Sequence, residues 1–252
     1  MRYFIEIAYK GTYYNGWQIQ PNAKSVQETI EKSISIILSK KITIFGAGRT
    51  DTGVHAKQMF AHFDFENFLP ENIVYRLNRF LPKDIAILNI KRVKEDAHAR
   101  FNAYSRTYTY YISTQKNPFS VETKWQIKNQ TNLDLIKMNA AASFLIETKD
   151  FTSFSKLHSD NKTNFCHVTF AEWSLKENEF IFTITANRFL RNMVRAIVGT
   201  LVEVGKNLLT LEDFINFINN KHRNLASYTA PAEGLFLTHI LYPKDIFINE
   251  IK

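Results

Sequence analysis

A single carboxylate stands close to an arginine in a glycine-rich stretch, and this is the part of the sequence best suited to chemistry. The stretch reads Gly46-Ala47-Gly48-Arg49-Thr50-Asp51-Thr52-Gly53-Val54-His55-Ala56. Glycine lets a backbone approach a ligand closely, so such a loop can present Asp51 at the bottom of a cleft. With Arg49 two residues away and His55 as the other titratable group nearby, Asp51 is expected to be an ionised nucleophile.

Three other chemistries and one structural role fit parts of the same stretch. A phosphate-binding loop is disfavoured because Asp51 stands where a third glycine belongs. The form Asp51-Thr52-Gly53 is that of an aspartic protease, which needs a second such carboxylate that only a symmetric dimer could supply. A metal site of Asp51, His55 and His62 fits no common zinc spacing. A tight turn capped by Asp51 remains open on spacing alone.

The segments around this loop predict an α+β chain. Apolar periodicity and a capping box of Ser25 and Glu28 predict strands at 2–9, 41–45, 57–65 and 84–93, and helices after Ser25 and at 71–80. This β-α-β-β-α-β order is ferredoxin-like. The second half is predicted to contain strands at 103–113, 166–175, 179–186 and 235–242, and helices at 132–147, 188–205 and 211–219. We expect an N-terminal half, 1–102, with the Asp loop and a C-terminal half, 103–252, as one continuous catalytic unit.

The predicted helix at 188–205 carries a basic stripe. Arg188, Arg191 and Arg195 recur at a spacing that places them on one helical face. Most such stripes are solvated surface. Arg195, however, is surrounded in sequence by apolar residues, and an arginine there needs a partner because an unpaired buried charge is costly.

The predicted strand at 103–113 is rich in tyrosine. Tyr108 and Tyr110 point to one face of the strand and Tyr111 to the other. Core packing is the plain interpretation of such a strand, and some of these rings are expected to serve it.

Composition favours an acidic partner. Lysine and arginine number 32 and the acids 24, a net charge of +8, and the pI is about 9.4, which is typical of many nucleic-acid-binding proteins. The single Cys166 excludes an internal disulfide and fits a reducing compartment. No apolar run of 18 residues is present. We therefore expect a cytoplasmic protein with no membrane contact.

Several blocks in one order resemble the TruA family of tRNA pseudouridine synthases, whose signature is Gly-Arg-Thr-Asp-Ala-Gly-Val-His. The matching blocks are Gly48-Arg49-Thr50-Asp51-Thr52-Gly53-Val54-His55, Tyr9-Lys10-Gly11-Thr12, Gly16-Trp17-Gln18, Ser25-Val26-Gln27, His98-Ala99-Arg100-Phe101, Arg106 with Tyr108 and Tyr110, Asp150-Phe151-Thr152-Ser153-Phe154, Met193-Val194-Arg195, and Ala230-Pro231-Ala232-Glu233-Gly234-Leu235. The likeness covers almost the whole chain. Lys10 for the usual Asp and Thr52 for the usual Ala depart from the pattern and leave the carboxylate in place.

The resemblance implies isomerisation of uridine to pseudouridine in tRNA, at the anticodon stem-loop positions conventionally numbered 38, 39 and 40. Asp51 is then the nucleophile, Arg195 its ion-pair partner, and Tyr108 the ring that stacks on the target base. The residues expected to bind substrate are Tyr108, Arg49, Arg106, Arg188 and Arg191.

The resemblance also implies an architecture and an assembly. In the family, two ferredoxin-like halves join into one mostly antiparallel sheet with a central cleft, and members act as homodimers in which one tRNA crosses both subunits. The reaction has no redox step, group donor or net hydrolysis, so no cofactor and no metal are expected. The alternative is a non-catalytic tRNA-binding protein on the same fold, which the loss of Asp51, Tyr108 or Arg195 would favour; all three are present.

Overall fold

The computed structural model describes residues 1–127, 132–155, 162–221 and 228–248. The strands are β1 Arg2–Tyr9, β2 Phe45–Gly46, β3 His55–Asp64, β4 Ile85–Val93, β5 Ser105–Ser113, β6 Trp125–Gln126, β7 Val168–Lys176, β8 Glu179–Ala186 and β9 Leu235–Leu241. The helices are α1 Val26–Leu38, α2 Ile73–Phe80, α3 Leu135–Glu147, α4 Met193–Gly205 and α5 Leu211–Asn219. Strands and helices are mixed and most strand pairs are antiparallel, which confirms the predicted α+β class.

The chain forms two compact units. The first consists of Met1–Ser105 with Leu237–Lys252, and the second of Arg106–Phe236. In the first unit the order β1-α1-β2-β3-α2-β4 confirms the predicted ferredoxin-like sequence of elements. Its strands pair in the order β4-β1-β3-β9, with β2 antiparallel to β3.

The alternating apolar residues of β1 bury one face of the strand, and the other face is buried at Phe4 and otherwise half-buried. Tyr3, Ile5 and Ile7 are buried as expected on one face. Phe4 on the other face is buried too, because its ring packs against Tyr242 with centroids 5.2 Å apart.

The predicted strand at 41–45 is reduced to a two-residue strand, and the side chains of α1 explain why. The Ile42 N–H donates to the Ser35 hydroxyl at 2.9 Å and the Ile44 N–H to the Glu31 carboxylate at 2.9 Å. Gln27 donates to the Ile44 carbonyl at 2.9 Å. The backbone groups that a strand would pair with its neighbour are therefore satisfied by the helix.

In the second unit β8 lies between β5 and β7, antiparallel to both, and β6 runs parallel to β5. Helix α3 packs against β7 and lies beside α4 and α5. Asn139 on α3 fixes this packing, because its amide both donates to and accepts from the backbone of Trp173 on β7, at 2.9 and 2.8 Å. Within the described ranges, no helix has the length and apolar character needed to cross a membrane.

The predicted helix at 188–205 was wrong at its start, because α4 begins only at Met193. Asn192 has φ of +65°, a left-handed conformation that does not occur inside a right-handed helix and that asparagine tolerates. Arg188 and Arg191 therefore precede the helix, and the predicted stripe of three arginines on one helical face does not exist.

Candidate functional site

Asp51 lies in the connection between β2 and β3, residues 47–54, called here the Asp51 loop. The segment between β1 and α1 holds its backbone: the Trp17 N–H donates to the Thr50 carbonyl at 3.2 Å, and the Gly53 N–H donates to the Tyr14 carbonyl at 3.3 Å. These two bonds clamp the loop on both sides of Asp51. The Asp51 residue itself is half-buried.

The residue before Asp51 is anchored by its side chain as well. Thr50 is buried, and its hydroxyl forms a buried hydrogen bond of 2.8 Å with the hydroxyl of Tyr9 at the end of β1. The Tyr9 ring in turn lies 6.1 Å from the ring of Trp17. Thr50 is thus fixed through both its carbonyl and its hydroxyl, which limits how far the carboxylate that follows can move.

Gly16 allows the loop to approach the segment that holds it. Its φ is +81°, and a Cβ at this position would lie 2.3 Å from the Thr50 carbonyl oxygen. Gly11 has the same function at the other end of the segment, since a Cβ there would lie 2.0 Å from the Val54 carbonyl oxygen. The conformation and the close contact both require glycine at Gly16, and the contact alone requires it at Gly11.

His55 has a structural role in this arrangement. Its side chain is buried, and Nδ1 accepts a 2.9 Å hydrogen bond from the Gly11 N–H. Because Nδ1 accepts, the proton of the neutral ring is on Nε2. His62 likewise accepts at Nδ1 from the Ala99 N–H. Neither contact involves Asp51, and among the described residues no three His, Cys, Asp or Glu side chains are grouped so as to hold a metal ion.

A hydrogen bond from Tyr14 also stabilises the segment between β1 and α1. Its hydroxyl donates to Asp84 Oδ1 at 2.7 Å, and burial together with this bond raises the pKa of Tyr14 above its ordinary value. The hydrogen-bond partners of Tyr9, Tyr14 and Gly11 lie 41 to 70 residues away in sequence. Apolar periodicity carries no information on such contacts, so the sequence matched Tyr9 and Gly11 to a motif without showing what they contact, and it did not single out Tyr14.

Tyr108 and Tyr110 on β5 have different environments in the second unit. Tyr110 is fully buried, its hydroxyl donates to the Pro231 carbonyl at 2.7 Å, and burial raises its pKa. A Cβ at Gly234 would lie 2.6 Å from the Tyr110 ring. Tyr108 is only half-buried and packs edge-on against Phe189 with ring centroids 5.1 Å apart. Tyr110 is therefore a core residue, and Tyr108 is the ring with an accessible surface.

Arg195 is half-buried in the first turns of α4. Its Nε donates to the Ala230 carbonyl at 2.7 Å, and the Ala230 N–H donates to the Arg195 carbonyl at 3.0 Å. This reciprocal pair fixes the guanidinium against the segment that follows α5. Gly199, one helical turn further, permits the same approach, since a Cβ there would lie 1.9 Å from the Tyr228 carbonyl oxygen.

The remaining predicted arginines occupy several positions. Arg49 is exposed in the Asp51 loop, two residues before the carboxylate. Arg106 donates from Nη1 to the Asn187 carbonyl at 2.8 Å, so it ties β5 to the end of β8. Arg188 is half-buried and Arg191 exposed in the connection before α4. Arg49 and Asp51 thus share one loop of the first unit, while the other predicted site residues belong to the second.

Cys166 is not suited to nucleophilic chemistry. It is buried, and burial raises the pKa of its thiol to about 11, so the thiol is protonated at neutral pH.

Comparison with known proteins identifies the family. The chain matches the family model described as tRNA pseudouridine synthase over residues 6–102 and 141–243. It is 52% identical to tRNA pseudouridine synthase A of Bacteroides thetaiotaomicron, with 100% of this chain and 94% of that protein covered. The same enzyme of Azobacteroides pseudotrichonymphae is 52% identical, with 98% and 99% covered, and that of Acetivibrio thermocellus 39%, with 94% and 97% covered. The chain belongs to the tRNA pseudouridine synthase family, an isomerase family that acts on uridine in tRNA.

Proposed function

We propose that this protein converts uridine to pseudouridine at positions 38, 39 and 40 of the tRNA anticodon stem-loop, with Asp51 as the nucleophile. The observation that carries this proposal is the anchoring of the Asp51 loop. A half-buried carboxylate follows a threonine that is fixed through two hydrogen bonds, and glycine alone permits the close packing behind it. Such fixation holds a reacting group in position before the substrate arrives.

The reaction needs a nucleophile more than it needs a second carboxylate. The N1–C1′ bond of uridine breaks, the uracil turns over, and a C5–C1′ bond forms; C5 loses a proton and N1 gains one. Glycosidases use one carboxylate to attack or protonate and another to activate water. Because water is an unwanted competitor here, one nucleophilic carboxylate in a site that excludes water suits the reaction. The atoms balance without an oxidant, a reductant or a group donor, so the proposed reaction uses neither cofactor nor metal.

Arg195 is proposed to pair with Asp51 during catalysis. An arginine beside the carboxylate would fix the orientation of the attacking oxygen. The support for this role is the bond from Arg195 Nε to the Ala230 carbonyl, which orders the guanidinium. The pairing itself stays a prediction.

Tyr108 is proposed to stack on the target uracil. The nucleotide must leave the helical stack to reach the carboxylate, at a cost of a few kcal/mol, and base–aromatic stacking returns roughly 1–3 kcal/mol. The half-buried state of Tyr108 and its edge-on contact with Phe189 support this role, since they leave part of a fixed ring accessible. Arg49 is proposed to enter the space that the flipped nucleotide leaves, and Arg106, Arg188 and Arg191 are proposed to bind the tRNA.

The assembly and location follow from the same proposal. We propose a cytoplasmic homodimer in which one tRNA contacts both subunits. The net charge of +8 supports binding to tRNA, which is a polyanion.

The experiment that tests the reaction uses an unmodified tRNA transcript with uridines in the lower anticodon stem. The transcript is incubated with the pure protein in EDTA after prior folding with magnesium, and new pseudouridines are mapped by carbodiimide labelling and primer extension. New stops at positions 38 to 40 are expected. Tight tRNA binding without any stop would contradict the proposal and favour a non-catalytic RNA-binding protein. Stops elsewhere in the tRNA would contradict the proposed target positions.

A further inference from the structure

Arg100 and Phe101 form an exposed pair of a cation and a ring that the proposed chemistry does not use. The Phe101 side chain is 74% exposed, and the Arg100 guanidinium lies 5.6 Å from its ring centroid. Both lie in the connection between β4 and β5, within the first unit. A single exposed phenylalanine needs no explanation by itself. What distinguishes this one is the way its backbone is held.

Side chains from three segments hold this connection. The Ala99 N–H donates to Nδ1 of the buried His62 at 3.2 Å, and the Tyr242 hydroxyl donates to the Ala99 carbonyl. Arg2 donates from Nη1 to the Ala97 carbonyl at 3.0 Å. Surface connections are ordinarily more mobile than the elements they join. Here β1, β3 and the C-terminal segment fix the two alanines that precede the exposed pair.

The connection is also closed on itself by residues 98–102, called here the 98–102 turn. The His98 N–H donates to Asn102 Oδ1 at 2.6 Å, and the Asn102 N–H donates to the His98 carbonyl at 3.1 Å. The Arg100 N–H donates to His98 Nδ1 at 3.1 Å. The side chains of Arg100 and Phe101 therefore project from a turn whose backbone is already ordered.

The Phe101 ring belongs to a continuous series of aromatic contacts that leads back to β2. The Phe101 ring lies 4.3 Å from His98, His98 lies 4.4 Å from His62, and His62 stacks on Phe45 at 5.2 Å. Phe45 is the cross-strand partner of His62 and begins β2, the strand that leads into the Asp51 loop. The same strand pair thus supports the exposed ring and starts the loop that carries the carboxylate.

We propose that Arg100 and Phe101 are a contact site for the tRNA, in which Phe101 stacks on a nucleobase outside the duplex and Arg100 binds a neighbouring phosphate. This site rests on tRNA being the substrate. Exposed aromatic rings and arginine planes are what single-stranded RNA stacks on, and the net charge of +8 favours an anionic partner. Because the 98–102 turn is ordered in advance, stacking costs little further conformational entropy.

The test compares tRNA binding by Phe101→Leu, Phe101→Tyr and wild-type protein. Leucine keeps the apolar character and removes the ring, so tRNA affinity is expected to fall by about 5- to 100-fold, as for the loss of one stacked base; tyrosine is expected to bind as wild type. Turnover at saturating tRNA should change by no more than about twofold, because no reacting atom is touched. Arg100→Gln should lower the slope of log Kd against log salt by about one phosphate contact, roughly 0.7–0.9.

A matched control exists in the same unit. Phe68 is 67% exposed with the Arg92 guanidinium 5.7 Å from its ring, and Phe68→Leu should leave tRNA affinity unchanged. Equal affinity of Phe101→Leu and wild type would overturn the inference. A change in oligomeric state with unchanged affinity per subunit would also overturn it, and would assign the pair to a contact between copies of the chain. The affinity measurement does not depend on turnover, and pseudouridine formation by the wild-type protein is measured separately. Failure of this contact site and failure of the proposed reaction therefore give different results.

Discussion

The hydroxyl groups of Tyr9 and Thr50 lie 2.8 Å apart in a buried hydrogen bond, one residue before the proposed nucleophile. Tyr9 ends a central strand of the first unit, and Thr50 belongs to the Asp51 loop. The bond therefore ties a rigid element of the sheet to a loop that must hold a carboxylate in place. The Thr50 carbonyl is fixed as well, by the Trp17 N–H at 3.2 Å.

Tyr9→Phe tests whether this bond positions Asp51. Loss of the hydroxyl should lower the free energy of unfolding by about 1–2 kcal/mol, and the loosened loop should lower kcat by about 10- to 100-fold with little change in KM. The matched control is Tyr3→Phe on the same face of β1, whose hydroxyl donates to the Asn67 carbonyl at 3.1 Å. Tyr3→Phe should lose stability only. Single-turnover kinetics and urea unfolding separate the two effects, and normal kcat in Tyr9→Phe would contradict the positioning role.

Gly16→Ala tests the close packing behind the loop. Its Cβ would lie 2.3 Å from the Thr50 carbonyl at a φ of +81°, so we expect a loss of unfolding free energy of at least about 2 kcal/mol and a severe loss of activity. Gly48→Ala in the Asp51 loop is the control, because a Cβ there meets nothing within 4 Å. Thermal unfolding and turnover of both variants check the prediction. Similar behaviour of the two would mean that the loop tolerates displacement.

The lowered pKa of His62 should make the free energy of unfolding depend on pH. Burial, aided by the neighbouring His98 and Arg2, lowers the pKa of His62 to about 4, and the neutral ring is the form that accepts from the Ala99 N–H. The unfolded state, with a histidine pKa near 6.5, binds the proton first as the pH falls. The neutral ring therefore contributes stability of order 3 kcal/mol above pH 6.5, and this is lost as the pH falls through about 4.

Urea unfolding between pH 4 and pH 7 measures this effect. His62→Gln keeps an acceptor but does not titrate, so its free energy of unfolding should rise less steeply with pH than that of the wild type. His98 titrates in both proteins, but its ring lies 4.4 Å from that of His62, so the difference between the two profiles reports the titration of His62 together with its coupling to His98. Parallel pH profiles would show that His62 is not the group responsible.

Substitutions at Tyr108 and Tyr110 should have different effects, the first on binding of the base and the second on packing of the core. Tyr108→Leu removes the proposed stacking ring, and kcat/KM should fall by about 5- to 100-fold, the equivalent of one stacked base. Tyr110→Phe removes the buried bond to the Pro231 carbonyl and should cost about 1 kcal/mol of stability with activity near wild type. Steady-state kinetics with thermal unfolding distinguish them, and a loss of activity confined to Tyr110→Phe would reverse the assignment.

Local sequence patterns predicted most elements of the fold. The cap at Ser25, whose hydroxyl accepts from the Glu28 N–H at 3.2 Å, is a contact within one turn. Apolar periodicity located the longer helices and strands to within a few residues, but it overestimated β2 and did not predict the two-residue β6. The start of α4 was missed because a basic spacing that fits a helix also occurs in the irregular segment before it. The asparagine at position 192 was the one indication in the sequence that the helix starts later, since asparagine tolerates the positive φ that it adopts here.

The site was predictable in part. A motif pointed to Asp51 and to its glycines, but not to what each glycine approaches. The partners of Tyr9 and Gly11 lie 41 and 44 residues away, and such pairs are set by how strands and loops meet in the folded chain.

Asp51→Asn shows whether the Asp51 carboxylate is the nucleophile, because the substitution keeps the size of the side chain and removes that carboxylate. Pseudouridine formation and tRNA affinity are measured on the same preparation, with thermal unfolding as the check on folding. We expect no detectable turnover, with tRNA affinity within a few-fold of wild type. Turnover within about tenfold of wild type would contradict Asp51 as the nucleophile, and a parallel loss of affinity and stability would show that it only shapes the loop.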